Sequence, residues 1–305
     1  MMKTTRGDRG SATILMIMIA SVIIIVGLGF NWLVREHIRA AEGLKNKAEA
    51  ILNARSAFDM LIYLLLSGHL SWKEIIITGA TDITELKSLP VNGQAIQLSE
   101  GLRVRIQDSN GMLSLTSLHT VPIERLIKNT ENVNYATAPV NSLLDWSDAD
   151  GLKRIDGAEA FDYSAQGLPY APRNFPLQYK DEAGFIKGFD KGLYGRIKDD
   201  LTMLPSFGFN PNTASDAALM AVLDINRESL QTLKEFMSQM PIISNNQLFA
   251  LTGRKLTGED NFFSSPFMEV IVEAGAPKVI YSIRAGLNVV QNEYAPYGVV
   301  FWSEE

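Results

Sequence analysis

Residues 11–34 contain no charged side chain, and no other feature constrains the chain as strongly. At ~1.5 Å of rise per residue a helix over this run reaches ~36 Å, enough to cross a bilayer core of ~30 Å. Its residues are those of a membrane span: Ile14, Leu15, Ile17, Ile19, Val22, Ile23, Ile24, Ile25 and Val26. Lys3, Arg6 and Arg9 precede it against one acid, Asp8, which predicts a cytoplasmic N-terminus and export of the chain beyond the span. Arg35, Arg39, Lys45 and Lys47 lie downstream and weaken that asymmetry. From Arg35 to Leu66 there is no proline and only Gly43 as a glycine. Apolar residues recur at Leu44, Ala48, Ile51, Phe58, Ile62 and Leu65, the spacing of one helical face, with Arg55 where another apolar residue would fall. The expectation is one helix of some fifty residues, half in lipid and half packed on a soluble domain.

The remaining composition excludes more than it assigns. With 305 residues and 46% hydrophobic side chains, the chain can bury a sizeable core. Its net charge of −6 argues against a nucleic-acid binder, which needs a basic face to neutralise phosphates. The absence of cysteine removes disulfides, thiolate metal sites and cysteine nucleophiles. The three histidines, His37, His69 and His119, stand far apart with no partner motif.

Beyond the long helix, which Gly68 ends, the pattern is β, then helical, then β. Leu102, Val104 and Ile106 alternate with Arg103, Arg105 and Gln107, a half-buried strand. Asp108-Ser109-Asn110-Gly111 is a turn sequence, with Gly111 free to take positive φ, and an apolar stretch runs on from Met112 to Leu115; together these predict a hairpin. Strands are also expected at Phe267–Val272, Val279–Ile283, Leu287–Val290 and Tyr297–Trp302, with a turn at Gly275-Ala276-Pro277. Between the β regions, Pro122 opens a helix behind Thr120. Ser215 or Thr213, Asn226 and Ser244 are helix caps ahead of segments ending near Leu223, Met240 and Gly253. Residues 157–208 are rich in glycine, proline and aromatics and are expected to be irregular packed loop.

The polar-to-apolar junction is Arg9-Gly10-Ser11, and no A-x-A pattern succeeds the apolar run, as an ordinary secretory signal would require. A glycine behind a short basic leader and ahead of a long apolar helix resembles a type IV prepilin leader; the alternative is a plain signal anchor. The resemblance implies cleavage after Gly10 by a prepilin peptidase and methylation of the new amine at Ser11.

Several segments, in order, resemble the K minor pseudopilins of type II secretion. They are Arg9-Gly10-Ser11-Ala12, the strand–turn segment Ile106 to Leu115, and Leu143-Leu144-Asp145-Trp146-Ser147-Asp148-Ala149-Asp150 with Gly157-Ala158-Glu159 and Tyr163. Pro169-Tyr170-Ala171-Pro172-Arg173-Asn174 and Asn210-Pro211-Asn212-Thr213-Ala214 complete the series. The asparagines that this family commonly carries at the positions of Ser114 and Thr116 are missing. Most pilin-like subunits have a glutamate at the fifth residue after cleavage, costly in lipid unless paired; Leu15 stands there, and the K members also lack it.

The resemblance implies an α+β fold: a pilin-like long helix on an antiparallel sheet, with a large helical domain inserted between strands. Its parts are a leader over 1–10, a transmembrane helix over 11–34 and its periplasmic continuation over 35–67. The pilin-like domain covers 68–119 and 261–305, and the insert covers 120–260. The implied role is structural: a tip subunit of the pseudopilus in the inner membrane, with its soluble part in the periplasm. It would start assembly with the I and J minor pseudopilins and the major pseudopilin, and support protein export. A tip pilin of a type IV pilus, or a membrane-anchored periplasmic enzyme or receptor, are the alternatives.

Asp145, Asp148, Asp150, Asp156, Glu159 and Asp162 fall within a short acidic segment. Dense carboxylates repel unless a cation or basic groups such as Lys153 and Arg154 intervene. Calcium favours such oxygen-rich sets, and resemblance to the K family implies calcium in the inserted domain, so Ca2+ is the candidate cofactor; the alternative is a solvated acidic loop. The EF-hand pattern fails here: with Gly151 at the required glycine, Trp146 takes the first ligand position. Paired carboxylates also suggest glycosidase chemistry, yet no base, nucleophile or oxyanion motif accompanies them, so no enzyme is expected. The start at Asn212-Thr213-Ala214 with two helices behind it resembles helix-hairpin-helix DNA modules, but the nearby helices carry few basic residues.

Overall fold

The computed structural model describes residues 11–77, 86–117, 119–133, 136–189, 191–256, 261–275, 278–290 and 293–305. Gly10 and the rest of the leader, like Ala276 and Pro277 of the expected turn, lie outside them. Helix α1 (Ser11–Ser67) is followed by strands β1 (His69–Leu70), β2 (Glu74–Ile76), β3 (Ser88–Pro90), β4 (Ile96–Ser99), β5 (Leu102–Asp108) and β6 (Leu113–Ser114). Next come α2 (Val121–Glu131), α3 (Thr137–Ser147), α4 (Ala160–Ala165), α5 (Lys191–Ile197), β7 (Leu201–Thr202), α6 (Asp216–Leu223), α7 (Arg227–Gln239) and α8 (Asn245–Thr252). Strands β8 (Phe267–Ala274), β9 (Tyr281–Asn288) and β10 (Gly298–Glu304) close the order.

Helix α1 changes surroundings along its length. Its large apolar side chains from Ile14 to Leu33 are exposed, covered by none of the described residues. No other described helix is long and apolar enough to cross a membrane. From Ala50 onward one face is buried: Ala50, Ala54, Ala57, Phe58, Leu61, Ile62, Leu64 and Leu65. The alanines let the helix axis approach the sheet closely, and Phe58 meets Trp302 of β10 edge-on at 4.8 Å. The expected apolar stripe is therefore displaced at its start. Leu44 is 73% exposed because the sheet does not reach that far down the helix, and the buried face begins at Ala50. Arg55 stands at the rim of this face, 3.4 Å from Glu304.

The five-stranded sheet runs β10-β9-β8-β5-β4, antiparallel throughout. Alternation decides its two faces. Val104 and Ile106 on β5, Val270 and Val272 on β8, and Ile283, Ala285 and Leu287 on β9 pack on α1. The other face carries Arg103, Arg105, Glu269, Glu273 and Arg284, cross-paired into ion pairs such as Arg105–Glu273 at 3.1 Å and Arg284–Glu269 at 3.3 Å. Lys180, from the helical region, reaches this face and bonds Glu269 at 3.0 Å, with both side chains almost fully buried.

Strands β5 and β8 are adjacent in the sheet, so everything from Ser109 to Pro266 leaves one strand and returns to its neighbour. The expected hairpin over 102–115 does not form. Ser109–Gly111 is a 3₁₀ turn, and β6 pairs in parallel with β7, Leu113 opposite Leu201. Gly111 is not in the left-handed region. It is needed for another reason: a Cβ there would lie 2.6 Å from Thr213 Oγ1 and 2.7 Å from its backbone.

The intervening chain builds two further cores. One gathers Ile123, Leu126, Leu143, Trp146, Tyr163, Phe189 and Ile197; the other gathers Leu219, Leu233, Ile242 and Leu248. Residues 157–208 are more regular than their composition suggests, holding α4, α5 and a 3₁₀ segment at Lys180–Phe185. These helices are too short to print a periodicity, and burial of Tyr163, Ile186 and Phe189 holds them.

The three polar caps act as their residue types predict. Ser215, Asn226 and Ser244 accept from the N–H of Ala218, Ser229 and Gln247 at 3.0, 2.9 and 3.3 Å. Asn226→Ala should lower the unfolding free energy by about 1 kcal/mol, read from the denaturant midpoint; an unchanged midpoint would show that this cap contributes nothing.

Candidate metal centre

Helix α3 places the acidic segment. Val140, Leu143 and Trp146 face the helical core, and the last turn brings Asp145 inward with them, fully buried. A carboxylate at a helix C-terminus opposes the helix dipole, and Asp145 is offset locally. It accepts the Arg154 N–H at 3.2 Å, the Ala158 N–H at 3.0 Å and the Arg154 guanidinium at 2.8 Å. Gly157 makes this seat possible: a Cβ there would fall 2.0 Å from Asp145 Oδ2. The loop from Asp148 to Ala158 is tied down from outside as well. Asn141 donates to the Ile155 carbonyl at 2.8 Å, and Asn174 to the Asp150 carbonyl at 2.7 Å. Asn174 thereby brings the Pro169–Asn174 segment against the Asp-Trp segment, and its backbone N–H bonds the Trp146 carbonyl at 3.1 Å.

The six acidic residues separate into different tasks. Asp145 organises backbone. Asp162 takes the Glu159 N–H at the start of α4 and pairs with Lys153 at 2.6 Å; the Lys153 bond leads the causes that hold its carboxyl below the usual range. Asp156 is exposed in the left-handed region at φ 58°. Asp148, Asp150 and Glu159 converge: one oxygen from each lies within 4.8 Å of the others. Asp148 Oδ2 bonds Arg154, and Asp150 Oδ1 accepts the Leu152 N–H at 2.8 Å. Asp148 Oδ1 and Glu159 Oε1 are buried with no hydrogen-bond partner. Burial first, and then the charges of Asp145, Asp148 and Asp150, push the Glu159 carboxyl up.

These features fit a divalent cation. Oxygens sharing one calcium at 2.3–2.6 Å stand at most about 5 Å apart, which the convergent trio satisfies. Buried carboxylate oxygens without donors are costly unless a cation meets them. Lys153 and Arg154 divide the neutralising role: Lys153 serves Asp162, and Arg154 serves Asp145 and Asp148.

A second polar centre was legible only as motifs. Asp108, at the end of β5, is fully buried and accepts four bonds. They come from the backbone N–H of Asn110 at 3.1 Å and of Ser265 at 2.7 Å, from the Thr213 hydroxyl at 2.8 Å and from the Asn210 amide at 3.2 Å. Burial raises its carboxyl to about 6 against the pull of those donors. Asn210 also donates to the Trp72 carbonyl at 2.8 Å, and Asn212 exchanges bonds with Ile242 at 2.8 and 2.7 Å. The strand–turn segment and the Asn-Pro-Asn-Thr-Ala segment are thus two halves of one network. It fastens the helical region where that region leaves the sheet.

Comparison with known proteins bears on the same residues. Residues 108–206, which contain Asp108 and the whole acidic segment, match the family model described as Type II secretion system (T2SS), protein K. The chain is 29% identical over 139 residues to the Type II secretion system protein K of Pectobacterium carotovorum subsp. carotovorum, an alignment covering 44% of this chain and 42% of that protein. That alignment spans less than half of the relative's length. Against the Type II secretion system protein K of Aeromonas hydrophila the identity is 23% over 265 residues, covering 79% of this chain and 78% of that one. The fold is similar to a solved chain of the GspK-GspI-GspJ complex from the enterotoxigenic Escherichia coli Type 2 Secretion System. That likeness has a TM-score of 0.52 and 19% identity, over 89% of this chain and 99% of that one. A long apolar helix on an antiparallel sheet, with helices between its strands, is the expected α+β pilin-like architecture. Over residues 108–206 the chain thus carries a domain that matches type II secretion system protein K, and its fold is similar to that of the solved chain.

Proposed function

We propose that the protein is a minor pseudopilin at the tip of the type II secretion pseudopilus. In that role it starts assembly with the I and J minor pseudopilins, meets the major pseudopilin below and supports protein export. The observation that carries this reading is the joining of a protein K domain to a helix whose first half is apolar and uncovered. The similar solved chain comes from a complex with GspI and GspJ, which supports the same partners here. The role is structural, as the K family's is.

The uncovered half of α1 would lie in the inner membrane, with the N-terminus cytoplasmic and the sheet and helical region in the periplasm. Leu15 leaves no buried carboxylate to pair with a neighbouring subunit, which suits a terminal position. In the K reading, prepilin peptidase cuts between Gly10 and Ser11 and the new amine is methylated. Calcium would be held by Asp148, Asp150 and Glu159. When bound, it supplies charge neutralisation that ties the end of α3 to the start of α4.

The test is mass spectrometry of the N-terminus after co-expression with a prepilin peptidase. A product beginning at Ser11, methylated there and blocked by a Gly10 substitution, is expected. A product retaining Met1 or Met2 beside an active peptidase would sink the pilin-like reading. Co-expression with I and J pseudopilins should then return a ternary complex; its absence removes the tip role alone.

A further inference from the structure

Asp145, Asp148, Asp150 and Glu159 gather at a site where Arg154 is the cation in contact. Its Nη1 bonds Asp145 Oδ1 at 2.8 Å and also Asp148 Oδ2. The two carboxylates depend on it unequally. Asp145 is also held by the backbone N–H groups of Arg154 and Ala158, so it keeps hydrogen-bond donors if the guanidinium leaves. Among the described residues Asp148 has no other donor: its second oxygen is buried without a partner, as is Glu159 Oε1. Asp148 is therefore shared between the guanidinium and the convergent trio with Asp150 and Glu159. The Arg154 side chain is 38% exposed, so it can swing into solvent, while Asp145 cannot move.

We propose that Arg154 is a built-in competitor for the cation site, holding Asp148 when the divalent ion is absent and releasing it when the ion binds. The inference rests on reading Asp148, Asp150 and Glu159 as a calcium site. The physical basis is charge. A tethered monovalent cation holds two of four carboxylates together at low calcium, and a divalent ion contacting three of them displaces it. Release leaves the Asp145 seat intact, so ion binding frees an arginine at the surface without unfolding the loop. The competition weakens calcium binding and sets the concentration at which the site fills.

Calcium titration of the full chain in detergent micelles, by calorimetry and by thermal unfolding, tests this. Arg154→Gln should bind calcium about tenfold more tightly than the wild type, the scale of coupling within one ion-pair network. It should melt below the wild type in chelator and level with it in saturating calcium. Equal or weaker affinity in Arg154→Gln overturns the proposal, because the guanidinium would then be indifferent to the ion or support the site. Should Arg154→Gln not fold, Arg154→Lys keeps the charge on a shorter, more strongly hydrated head that holds the two carboxylates less well. Its affinity should lie above the wild type, and an equal or lower value overturns the competition as well. If neither wild type nor variants bind calcium, and Asp150→Asn leaves melting in calcium unchanged, the calcium site itself falls. Calcium binding by the wild type with an unaltered Arg154→Gln affinity removes only the competition.

Discussion

Replacing Asp108 with alanine should lower the unfolding free energy by about 4 kcal/mol, because it strands four donors in a buried site. The backbone N–H groups of Asn110 and Ser265 lose their acceptor, and so do the Thr213 hydroxyl and the Asn210 amide. These groups lie on three segments far apart in sequence, so the loss loosens the helical region from the sheet rather than one turn. Denaturant unfolding of the full chain, followed by tryptophan fluorescence, measures it. A loss below about 1 kcal/mol, the scale of a single cap, would show that Asp108 does not fasten the network. The pH dependence has a defined sign. Burial raises the folded carboxyl from 3.8 to about 6. A raised carboxyl contributes stability below its unfolded value and loses it as pH rises through the folded value. Between about pH 4 and pH 6 the wild type should therefore lose part of its advantage over Asp108→Asn, whose amide does not titrate. An advantage that widens with pH would mean that the four donors outweigh burial and favour the charged form.

The second large effect is expected at Gly157. Alanine there sets a Cβ 2.0 Å from Asp145 Oδ2, 3.0 Å from its Cγ and 3.2 Å from the Arg154 carbonyl. Asp145 is fully buried and cannot step aside without giving up the Ala158 and Arg154 N–H bonds. The cost should be about 3 kcal/mol, combining overpacking with unsatisfied donors. Asp145→Asn is the comparison, since it keeps the volume and one acceptor and adds no clash. If Gly157→Ala unfolds with the wild-type midpoint, the carboxylate does not occupy that seat. A loss in Gly157→Ala larger than that in Asp145→Asn would locate the cost in the contact itself.

The order of elements was largely open to inspection in the sequence. An uncharged run fixes its own helix whatever the rest of the chain does. Ser215, Asn226 and Ser244 cap their helices through bonds three residues away, so the signal and its structural effect are local. Alternation over Leu102–Gln107 named a strand and its buried face for the same reason. The expectations that missed depended on neighbours distant in sequence. Leu44 fits the apolar stripe, yet the sheet does not cover it. Asp108 to Gly111 has turn chemistry, yet β6 finds its partner at Leu201. Gly111 suggests backbone freedom and is instead required by contact with Thr213.

The acidic segment divides along the same line. Composition named six carboxylates and two basic residues able to balance them. It had no means of ranking them, because their tasks are set by where α3 ends and α4 begins. Only the folded loop places Asp145 on backbone N–H groups and Asp162 on Lys153, and leaves Asp148, Asp150 and Glu159 facing one another. The sequence by itself determined what short-range chemistry controls: the long apolar helix, the strand and cap positions, the segments that resemble protein K and the presence of an acidic loop. Tertiary structure alone decided which buried polar atoms find partners. Pairing depends on groups brought together across more than a hundred residues, as Asp108 is with Asn210, Thr213 and Ser265; no local pattern encodes that geometry.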